Sequence, residues 1–303
     1  MDISEKSTSG PEIDVSLVRS LLDSQFPHWA HLPLTPVASD GTDNVMFRLG
    51  ADMCVRLPRV ARAAGHVDKE QLWLPRLGAL PLAIPEPLGH GLADDRYPWN
   101  WSVYSWIKGA PATPDQIADM DEAAATLAAL LNAFQTVDAA DGPPSGAHNE
   151  YRGVPLALRD GVTRTSMETL KDEFDLSALT AIWDEALAAP VWSDAPVWIH
   201  GDIHSGNLLA SNGRLCGLID FGLTGVGDPA CDLMVGWSLL PQSSRAVFRS
   251  SLDVDAATWE RGRGWALSVA LVALAYYRDS NADISERSRH TLHQVLADTA
   301  SEG

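Results

Sequence analysis

Apolar residues recur at two different spacings along this chain, and the spacings predict two different kinds of structure. Residues 14–26 (DVSLVRSLLDSQF) carry apolar side chains three and four positions apart, which predicts a helix capped by Asp14. The runs LTPVAS, NVMFRLG and MCVRLPR are short, β-like and separated by turn residues, and AAGHVDKEQLWLPRLGAL returns to helical spacing. With the further runs PEPLGHGL and WNWSVYSWI, this part of the chain predicts five strands in a small antiparallel sheet.

The remainder of the chain is predicted to be mainly helical. Helical spacing marks PDQIADMDEAAATLAALLNAFQTVD, DLSALTAIWDEALAAP and three later segments near residues 228–240, 255–279 and 285–300. Two short strands, NLLAS and RLCGLIDF, interrupt the helices, and an Asn-Gly turn at Asn212 and Gly213 joins them. The sequence therefore predicts an α+β protein.

A change of composition separates the two parts. The chain has 303 residues, a length typical of two subdomains or one large unit. The stretch KGAPATP at residues 108–114 is rich in small and turn-forming residues, as a connection between lobes is. We predict an N-terminal lobe at residues 1–104, a hinge at 105–113 and a helical C-terminal lobe at 114–303.

The net charge of the chain limits the classes of partner that it is expected to bind. There are 40 acidic and 22 basic residues, which give a formal net charge of −18. Such a charge disfavours electrostatic binding to nucleic acid or to an anionic membrane, and it favours a cationic ligand. A simpler interpretation is an acid-rich surface that keeps the protein soluble.

Cysteine usage and hydropathy predict a cytoplasmic location. Cys54, Cys216 and Cys231 form no CxxC pair, which is typical of reduced thiols. The N-terminal residues MDISEKSTSGPEID lack the basic and apolar segments of a secretory signal. The apolar run WALSVALVALAYY is shorter than the roughly 20 residues that span a bilayer, so we predict a buried helix there.

The stretch VWIHGDIHSGNLL at residues 197–209 places several polar side chains among apolar ones. Four explanations are open: a metal site, a nucleophile with its base, a phosphate-transfer loop, or a polar turn without chemistry. Asp202 and Asn207 are five positions apart on a loop that enters a strand, and Asp220 ends the next strand. Phosphoryl transfer needs one carboxylate to orient the attacking hydroxyl, and an amide and a second carboxylate to hold magnesium.

These residues carry a family resemblance. HGDIHSGNLL followed by IDFG and GDPACDL resembles the aminoglycoside phosphotransferase family, whose members share the protein-kinase fold. The resemblance covers the chain from about Pro36 to Leu240. It implies a two-lobe protein-kinase-like fold and transfer of the γ-phosphate of ATP or GTP, with Mg²⁺, to a hydroxyl of a small molecule. An aminoglycoside-like antibiotic is the leading acceptor, and macrolides, other amino sugars and an ordinary metabolite remain alternatives.

The resemblance also implies roles for single residues of the catalytic loop. Asp202 matches the catalytic base, and Asn207 and Asp220 match the magnesium ligands. His200 matches a position that braces the loop by packing and hydrogen bonding. His204 matches no catalytic role in the family.

Residues after the loop have structural and functional interpretations. In GDPACDL, we interpret Asp228 and Asp232 mainly as caps and braces of the following helix, and Asp232 also as a support of the catalytic-loop backbone. Asp228 is in addition a candidate contact of the acceptor. Trp237, just beyond this segment, is a candidate wall of the acceptor site, although large aromatic residues are more often core residues.

The resemblance places the nucleotide between the lobes. SDGTDNVMFRLG resembles a phosphate-covering loop, although it has one glycine where protein kinases have three. Donors to the phosphates are predicted from four of its residues, Ser39, Gly41, Thr42 and Asn44.

Two charged residues complete the predicted phosphate site, and a hinge completes the nucleotide site. Arg56 stands where a strand lysine normally binds phosphate, and Glu70 stands where its acidic partner should be. The alternative for this pair is a surface salt bridge worth about 0 to 1 kcal/mol. In SVYSWIKG, backbone contacts to the base are predicted at Ser105 and Ile107, with the Tyr104 side chain behind the ring.

Other classes of function fit the sequence less well. A zinc site at His200 and His204 is disfavoured because glycines interrupt any helix there and no HExxH is present. No GxSxG elbow and no GxxxxGK[ST] loop occur in the sequence. A catalytically silent nucleotide-binding scaffold is a further alternative, motivated by Arg56 and the glycine-poor loop.

Overall fold

The structure is a computed structural model that describes residues 11–38 and 43–299. Its α-helices are α1 Val15–Gln25, α2 Ala61–Trp73, α3 Met120–Thr136, α4 Asp160–Thr169, α5 Leu176–Ala188, α6 Val235–Ser238, α7 Gln242–Ser251, α8 Ala256–Tyr277 and α9 Ala282–Thr299. Its strands are β1 Leu34–Val37, β2 Asn44–Leu49, β3 Met53–Pro58, β4 Pro87–Gly91, β5 Trp101–Ser105, β6 Ala110–Pro111, β7 Val197–Ile199, β8 Leu208–Ser211, β9 Arg214–Leu218 and β10 Gly225–Gly227.

The chain divides into two compact units. Unit 1 comprises the described residues of Met1–Ala79, Ala83–Lys108 and Ile219–Gly222. Unit 2 comprises the described residues of Leu80–Leu82, Gly109–Leu218 and Leu223–Gly303.

Unit 1 is built on an antiparallel sheet with the strand order β1-β2-β3-β5-β4. All five strands lie where the short β-like runs predict them. Helix α1 packs one apolar face against the sheet, and its Val18, Leu21 and Leu22 are fully buried. The Asp14 side chain accepts a hydrogen bond from the backbone N–H of Leu17 at 2.7 Å, which confirms the predicted cap.

Unit 2 is mainly helical and contains two small sheets. The 22-residue helix α8 is largely buried, and the predicted buried run WALSVALVALAYY forms its C-terminal part. In the part of the chain that the structure describes, none of the helices combines the length and the apolar character that crossing a membrane requires.

A hairpin in unit 2 follows the loop that carries Asp202 and Asn207. Strands β8 and β9 pair antiparallel, and Asn212 and Gly213 between them have φ values of +54° and +81°. Both residues therefore adopt the left-handed conformation that a two-residue hairpin turn requires, as predicted. The loop with Asp202 and Asn207 lies between β7, which pairs with β10, and β8, which pairs with β6 and β9. It is therefore held at both ends by strands.

Some boundaries differ from the predictions. Helix α3 begins at Met120, because the Asp119 side chain accepts hydrogen bonds from two backbone N–H groups of its first turn at 2.9 and 3.1 Å. Helix α4 lies outside the segments in which apolar spacing predicts helices. The segment near 228–240 is a 3-10 helix at Pro229–Met234 that continues into the short helix α6. The three-residue strands β7 and β10 are not predicted by the sequence.

Candidate active site

Asp202 and Asn207 lie side by side on the loop between β7 and β8. The Asn207 Nδ2 donates to the backbone carbonyl of Asp202 at 3.0 Å and to its Oδ2 at 3.2 Å. Backbone bonds from residues 207 and 208 to the carbonyl of His204, at 2.9 and 3.0 Å, fold the loop into a tight turn. The five-residue spacing thus brings the predicted base and one predicted metal ligand together.

The backbone before Asp202 is held by a buried carboxylate. Asp232 accepts hydrogen bonds from the backbone N–H groups of His200 and Gly201, each at 2.7 Å. Burial raises the pKa of Asp232 to about 7, although the two N–H donors oppose that shift. His200 is also fully buried, and its Nδ1 accepts from the backbone N–H of Asp202 at 3.2 Å. The predicted bracing roles of His200 and Asp232 are confirmed.

Basic side chains surround the Asp202 carboxylate. The Nε2 of His204 lies 3.6 Å from Oδ2, and the Nη2 of Arg152 lies 3.7 Å from Oδ1. Burial by itself would raise the pKa of Asp202, but His204, Arg152 and His200 together hold it well below its usual value. The carboxylate is therefore ionised at neutral pH. Arg152 is not found by sequence reasoning, because no local pattern connects it with a loop so far along the chain.

A second cluster lies in unit 1 around Arg56. Its Nη1 donates to both carboxylate oxygens of Glu70 at 2.8 Å, and its Nη2 donates to Oδ1 of Asp220 at 2.6 Å. The side chains of Arg56 and Glu70 are only 12% and 3% exposed, so this pair is buried and is not a surface salt bridge. Burial would lower the pKa of Arg56, and the two carboxylates raise it well above its usual value instead.

Tyr104 and Asn44 complete the surroundings of Arg56. The Tyr104 side chain is buried, and its hydroxyl donates to the Oε2 of Glu70. The Asn44 amide, with its oxygen turned toward Arg56, accepts from Nη2 at 2.8 Å. Both side chains therefore fix the ion pair, and Asn44 is the first residue of β2.

Asp220 has an unusual backbone conformation. Its φ of +63° lies in the left-handed region, which an aspartate tolerates better than most residues. The next side chain, Phe221, is fully buried. At Gly222, an added Cβ would lie 2.7 Å from the Nδ1 of His66, so the backbone there passes close to helix α2. The Asp220 side chain itself is 45% exposed.

Two basic residues of α2 accompany Asp220 and are not found by sequence reasoning. Burial, with Lys69 and Arg56 nearby, lowers the pKa of His66 to about 4. Burial lowers the pKa of Lys69 to about 8, although Glu70 and Asp220 oppose that shift. Their spacing from Glu70 could have indicated them, because residues three and four positions apart on a helix lie on the same face.

The structure describes the predicted hinge residues but only part of the predicted phosphate-covering loop. The backbone N–H of Ser105 donates to the carbonyl of Glu86, and its hydroxyl accepts from the N–H of Glu86, both at 2.9 Å. The Ser105 N–H is thus already used, which leaves its carbonyl for a contact to a base. Ile107 is half-buried beyond the end of β5. The predicted phosphate donors Ser39, Gly41 and Thr42 lie outside the described residues.

Asp228 and Trp237 are enclosed by protein. Asp228 forms a buried ion pair with Arg261 at 2.7 Å, and it caps the following 3-10 helix through the N–H of Ala230 at 3.0 Å. Trp237 is fully buried; its Nε1 donates to Asp298 at 2.6 Å and its ring lies 4.8 Å from that of Trp259. The predictions of acceptor contact are therefore corrected for both residues. The bracing interpretation of Asp228 is confirmed.

The two predicted metal ligands have the chemistry that magnesium prefers. Within the described residues, no group of three or more histidine, cysteine, aspartate or glutamate side chains is arranged to hold a metal. Asn207 and Asp220 both offer oxygen, the ligand atom of hard cations. Asn207 donates both of its hydrogen bonds to Asp202 through its Nδ2, so its amide oxygen takes part in neither. Magnesium bound by so few protein groups keeps water and phosphate oxygens as its other ligands.

Comparisons with known proteins place the fold and the family of the chain. A comparison with curated proteins finds no match. Among solved structures, the GDP and kanamycin complex of APH(2")-IIia has a TM-score of 0.69 at 20% identity, with 93% of this chain and 98% of that chain covered. A thermostable mutant of aminoglycoside phosphotransferase APH(4)-Ia, in complex with AMP-PNP and hygromycin B, has a TM-score of 0.64 at 18% identity, with 95% and 99% covered.

A third solved structure and a sequence family complete the comparison. The apoenzyme of macrolide 2'-phosphotransferase MphH from Brachybacterium faecium has a TM-score of 0.56 at 21% identity, with 92% and 97% covered. These likenesses confirm the predicted fold class. The family described as "Phosphotransferase enzyme family" matches residues 34–265, which is most of the chain. The chain therefore belongs to the phosphotransferase enzyme family.

Proposed function

We propose that this protein transfers the γ-phosphate of ATP or GTP to a hydroxyl group of a small molecule. The observation that carries the proposal is the hydrogen-bonded pair of Asp202 and Asn207, on a loop whose backbone is fixed by the buried Asp232. A turn without chemistry would not require an ionised carboxylate among three basic side chains.

In the proposed reaction, Asp202 accepts a hydrogen bond from the acceptor hydroxyl and directs its oxygen at the γ-phosphorus. The bond from that oxygen to phosphorus forms as the bond to the nucleoside diphosphate breaks, and the hydroxyl proton passes to the Asp202 carboxylate. A carboxylate with a lowered pKa is a weak base, so its main contribution is orientation. Phosphoryl transfer depends mostly on such positioning and on charge stabilisation.

Asn207 and Asp220 are the residues that would hold magnesium. When bound, the ion would neutralise charge on the phosphates of the donor. Arg56 is proposed to bind phosphate oxygens through its planar guanidinium, whose orientation is already fixed by Glu70. We also propose that Ser39, Gly41, Thr42 and Asn44 supply donors to the phosphates.

The nucleoside part is proposed to contact the hinge. The carbonyl of Ser105 and the backbone of Ile107 are the proposed partners of the base. Tyr104, the residue before Ser105, is held in place because its hydroxyl donates a hydrogen bond to Glu70. Backbone contacts of this kind are independent of the side chains at the hinge.

The acceptor is proposed to be an aminoglycoside-like antibiotic. Kanamycin and hygromycin B are bound in two solved structures of similar fold. The net charge of −18 favours a polycationic acceptor over an anionic one. A macrolide is the second candidate, because a macrolide phosphotransferase shares the fold. An amino sugar or a metabolite hydroxyl is a third.

A panel of acceptors tests the proposal. Purified protein is incubated with magnesium, with ATP or GTP, and with aminoglycosides, macrolides and amino sugars, and the mass gain of one phosphate is recorded. The proposal expects a gain for at least one cationic acceptor, and none without magnesium. A gain confined to macrolides would remove the aminoglycoside assignment, and hydrolysis of nucleotide without any phosphorylated acceptor would argue against the whole proposal.

A further inference from the structure

We propose that Arg152 is a positioning residue that fixes the Asp202 carboxylate for phosphate transfer. The role is defined within the proposed function, because positioning of Asp202 matters only if Asp202 orients a hydroxyl. Arg152 is buried, it lies close to Asp202, and the backbone on both sides of it is fixed.

The guanidinium of Arg152 is buried with few partners. Arg152 is only 9% exposed, and its Nη2 lies 3.7 Å from Oδ1 of Asp202. Within residues 11–38 and 43–299, its Nε and Nη1 have no hydrogen-bond partner. Burying a charged group whose donors are left unused is unfavourable, so the charge must be compensated by nearby carboxylates. Asp202 is the carboxylate that the guanidinium faces.

The backbone around Arg152 is held in a strained conformation. Glu150 and Tyr151 have φ values of +53° and +59°, and Gly153 follows at +76°. Two successive non-glycine residues in the left-handed region are costly, and such conformations persist only where the surrounding structure enforces them. The strain lies directly before the residue that faces Asp202.

A buried asparagine enforces this conformation. Asn149 is fully buried; its Oδ1 accepts from the N–H of Gly146 at 2.9 Å, and its Nδ2 donates to the carbonyl of Arg152 at 3.1 Å. The carbonyl of Gly153 accepts from the N–H of Asp228 at 2.9 Å, which ties the other end of the turn. The position of Arg152 is thus fixed from both sides.

The Arg152 side chain also packs on the catalytic loop. A Cβ placed on Gly201 would come within 3.1 Å of the Cβ of Arg152, so the two backbones approach closely beside Asp202. Oδ1 of Asp202 faces Arg152 and Oδ2 faces the Nδ2 of Asn207. Rotation of the carboxylate would weaken both interactions, so the two interactions together fix the orientation of the carboxylate.

Kinetics of three variants test this role. Arg152→Gln removes the charge, Arg152→Lys keeps it without the planar fork, and Arg263→Gln removes another buried arginine, which pairs with Glu185 and Glu260. We expect Arg152→Gln to lower kcat by about 10- to 100-fold with little change in the nucleotide KM, since small misplacements of a reacting group cost that much. Arg152→Lys should recover part of the loss, and Arg263→Gln should keep the wild-type kcat. An unchanged kcat in Arg152→Gln would overturn the inference.

A thermal-unfolding cycle tests the pairing without any acceptor. The melting temperatures of Arg152→Gln, Asp202→Asn and the double variant are compared with that of the wild type. We expect the double variant to lose clearly less than the sum of the single losses, because Asp202→Asn leaves a buried cation uncompensated. Additive losses would overturn the pairing. A non-additive cycle together with an acceptor panel that shows no phosphorylation would retain the pairing and contradict the proposed function instead.

Discussion

At the scale of single residues, one guanidinium holds two carboxylates. Arg56 bonds to Glu70 and to Asp220 from different nitrogens, and the surrounding Tyr104 and Asn44 fit that planar group. A lysine ammonium is a single point charge and cannot reproduce both pairs. Arg56, which stands where the family resemblance implies a lysine, is therefore accommodated by its neighbours.

The exchange of Arg56 for lysine tests this fit. We expect Arg56→Lys to lower the free energy of unfolding by about 1 to 3 kcal/mol, because the buried Glu70 loses one of its charge-assisted hydrogen bonds. Arg62→Lys is the matched control, since the pair of Arg62 with Asp43 is more exposed and should change stability by less than about 1 kcal/mol. Urea unfolding of both variants measures the difference, and equal losses would show that the Arg56 site has no special geometry.

At the scale of elements, the catalytic loop depends on one glycine. Gly201 has a φ of +83°, and an added Cβ would lie 2.7 Å from the carbonyl oxygen of Leu223. We expect Gly201→Ala to lower the free energy of unfolding by about 1 to 3 kcal/mol through backbone strain. At Gly161 in α4, an added Cβ meets nothing within 4 Å, and alanine there should be neutral or stabilising by up to about 1 kcal/mol. A Gly201→Ala protein as stable as Gly161→Ala would contradict the described loop backbone.

Helix α2 gives unit 1 a sensitivity to acid. Burial lowers the pKa of His66 from 6.5 to about 4, so the folded state favours the neutral imidazole. Its contribution to stability is fully present above pH 6.5 and is lost as the pH falls toward 4. We expect the melting temperature of the wild type to fall more steeply over that range than that of His66→Gln, with the exposed His28→Gln following the wild type. Parallel curves for the wild type and His66→Gln would contradict the assigned pKa.

Local chemistry explains which elements the sequence predicts. The hairpin at Asn212 and Gly213 and the cap at Asp14 depend on residues that interact with their own neighbours, and both are found where predicted. Asp202 and Asn207 meet because five residues of one loop connect them. Three-residue strands such as β7 and β10 show no periodicity, so the sequence carries no signal for them.

Long-range packing accounts for what the sequence misses. Arg152 lies 50 positions before Asp202 in the sequence, and only the folded chain brings them together. Trp237 lies just beyond the GDPACDL motif in the sequence, yet its ring is buried against Trp259 and its Nε1 is bonded to Asp298. Sequence adjacency to a functional motif does not determine whether a side chain faces a ligand or the core.

At the scale of the whole molecule, the acidic net charge contrasts with the phosphotransferase family membership. The net charge of −18 disfavours anionic partners, while family membership indicates phosphotransfer. The basic groups near Asp202 and Arg56 are local exceptions to this acidic background. Phosphate chemistry requires such exceptions, because the transferred group carries negative charge.

The rate of phosphate transfer by the wild type and by Asp202→Asn, measured by mass spectrometry on one acceptor with magnesium and nucleotide, tests the central claim most directly. The exchange keeps the size of the side chain and removes its charge. We expect transfer by Asp202→Asn to be slower by about 10²- to 10⁴-fold, with nucleotide affinity in calorimetry unchanged. Equal transfer rates for the two proteins would contradict the assignment of Asp202 as the residue that directs the acceptor hydroxyl.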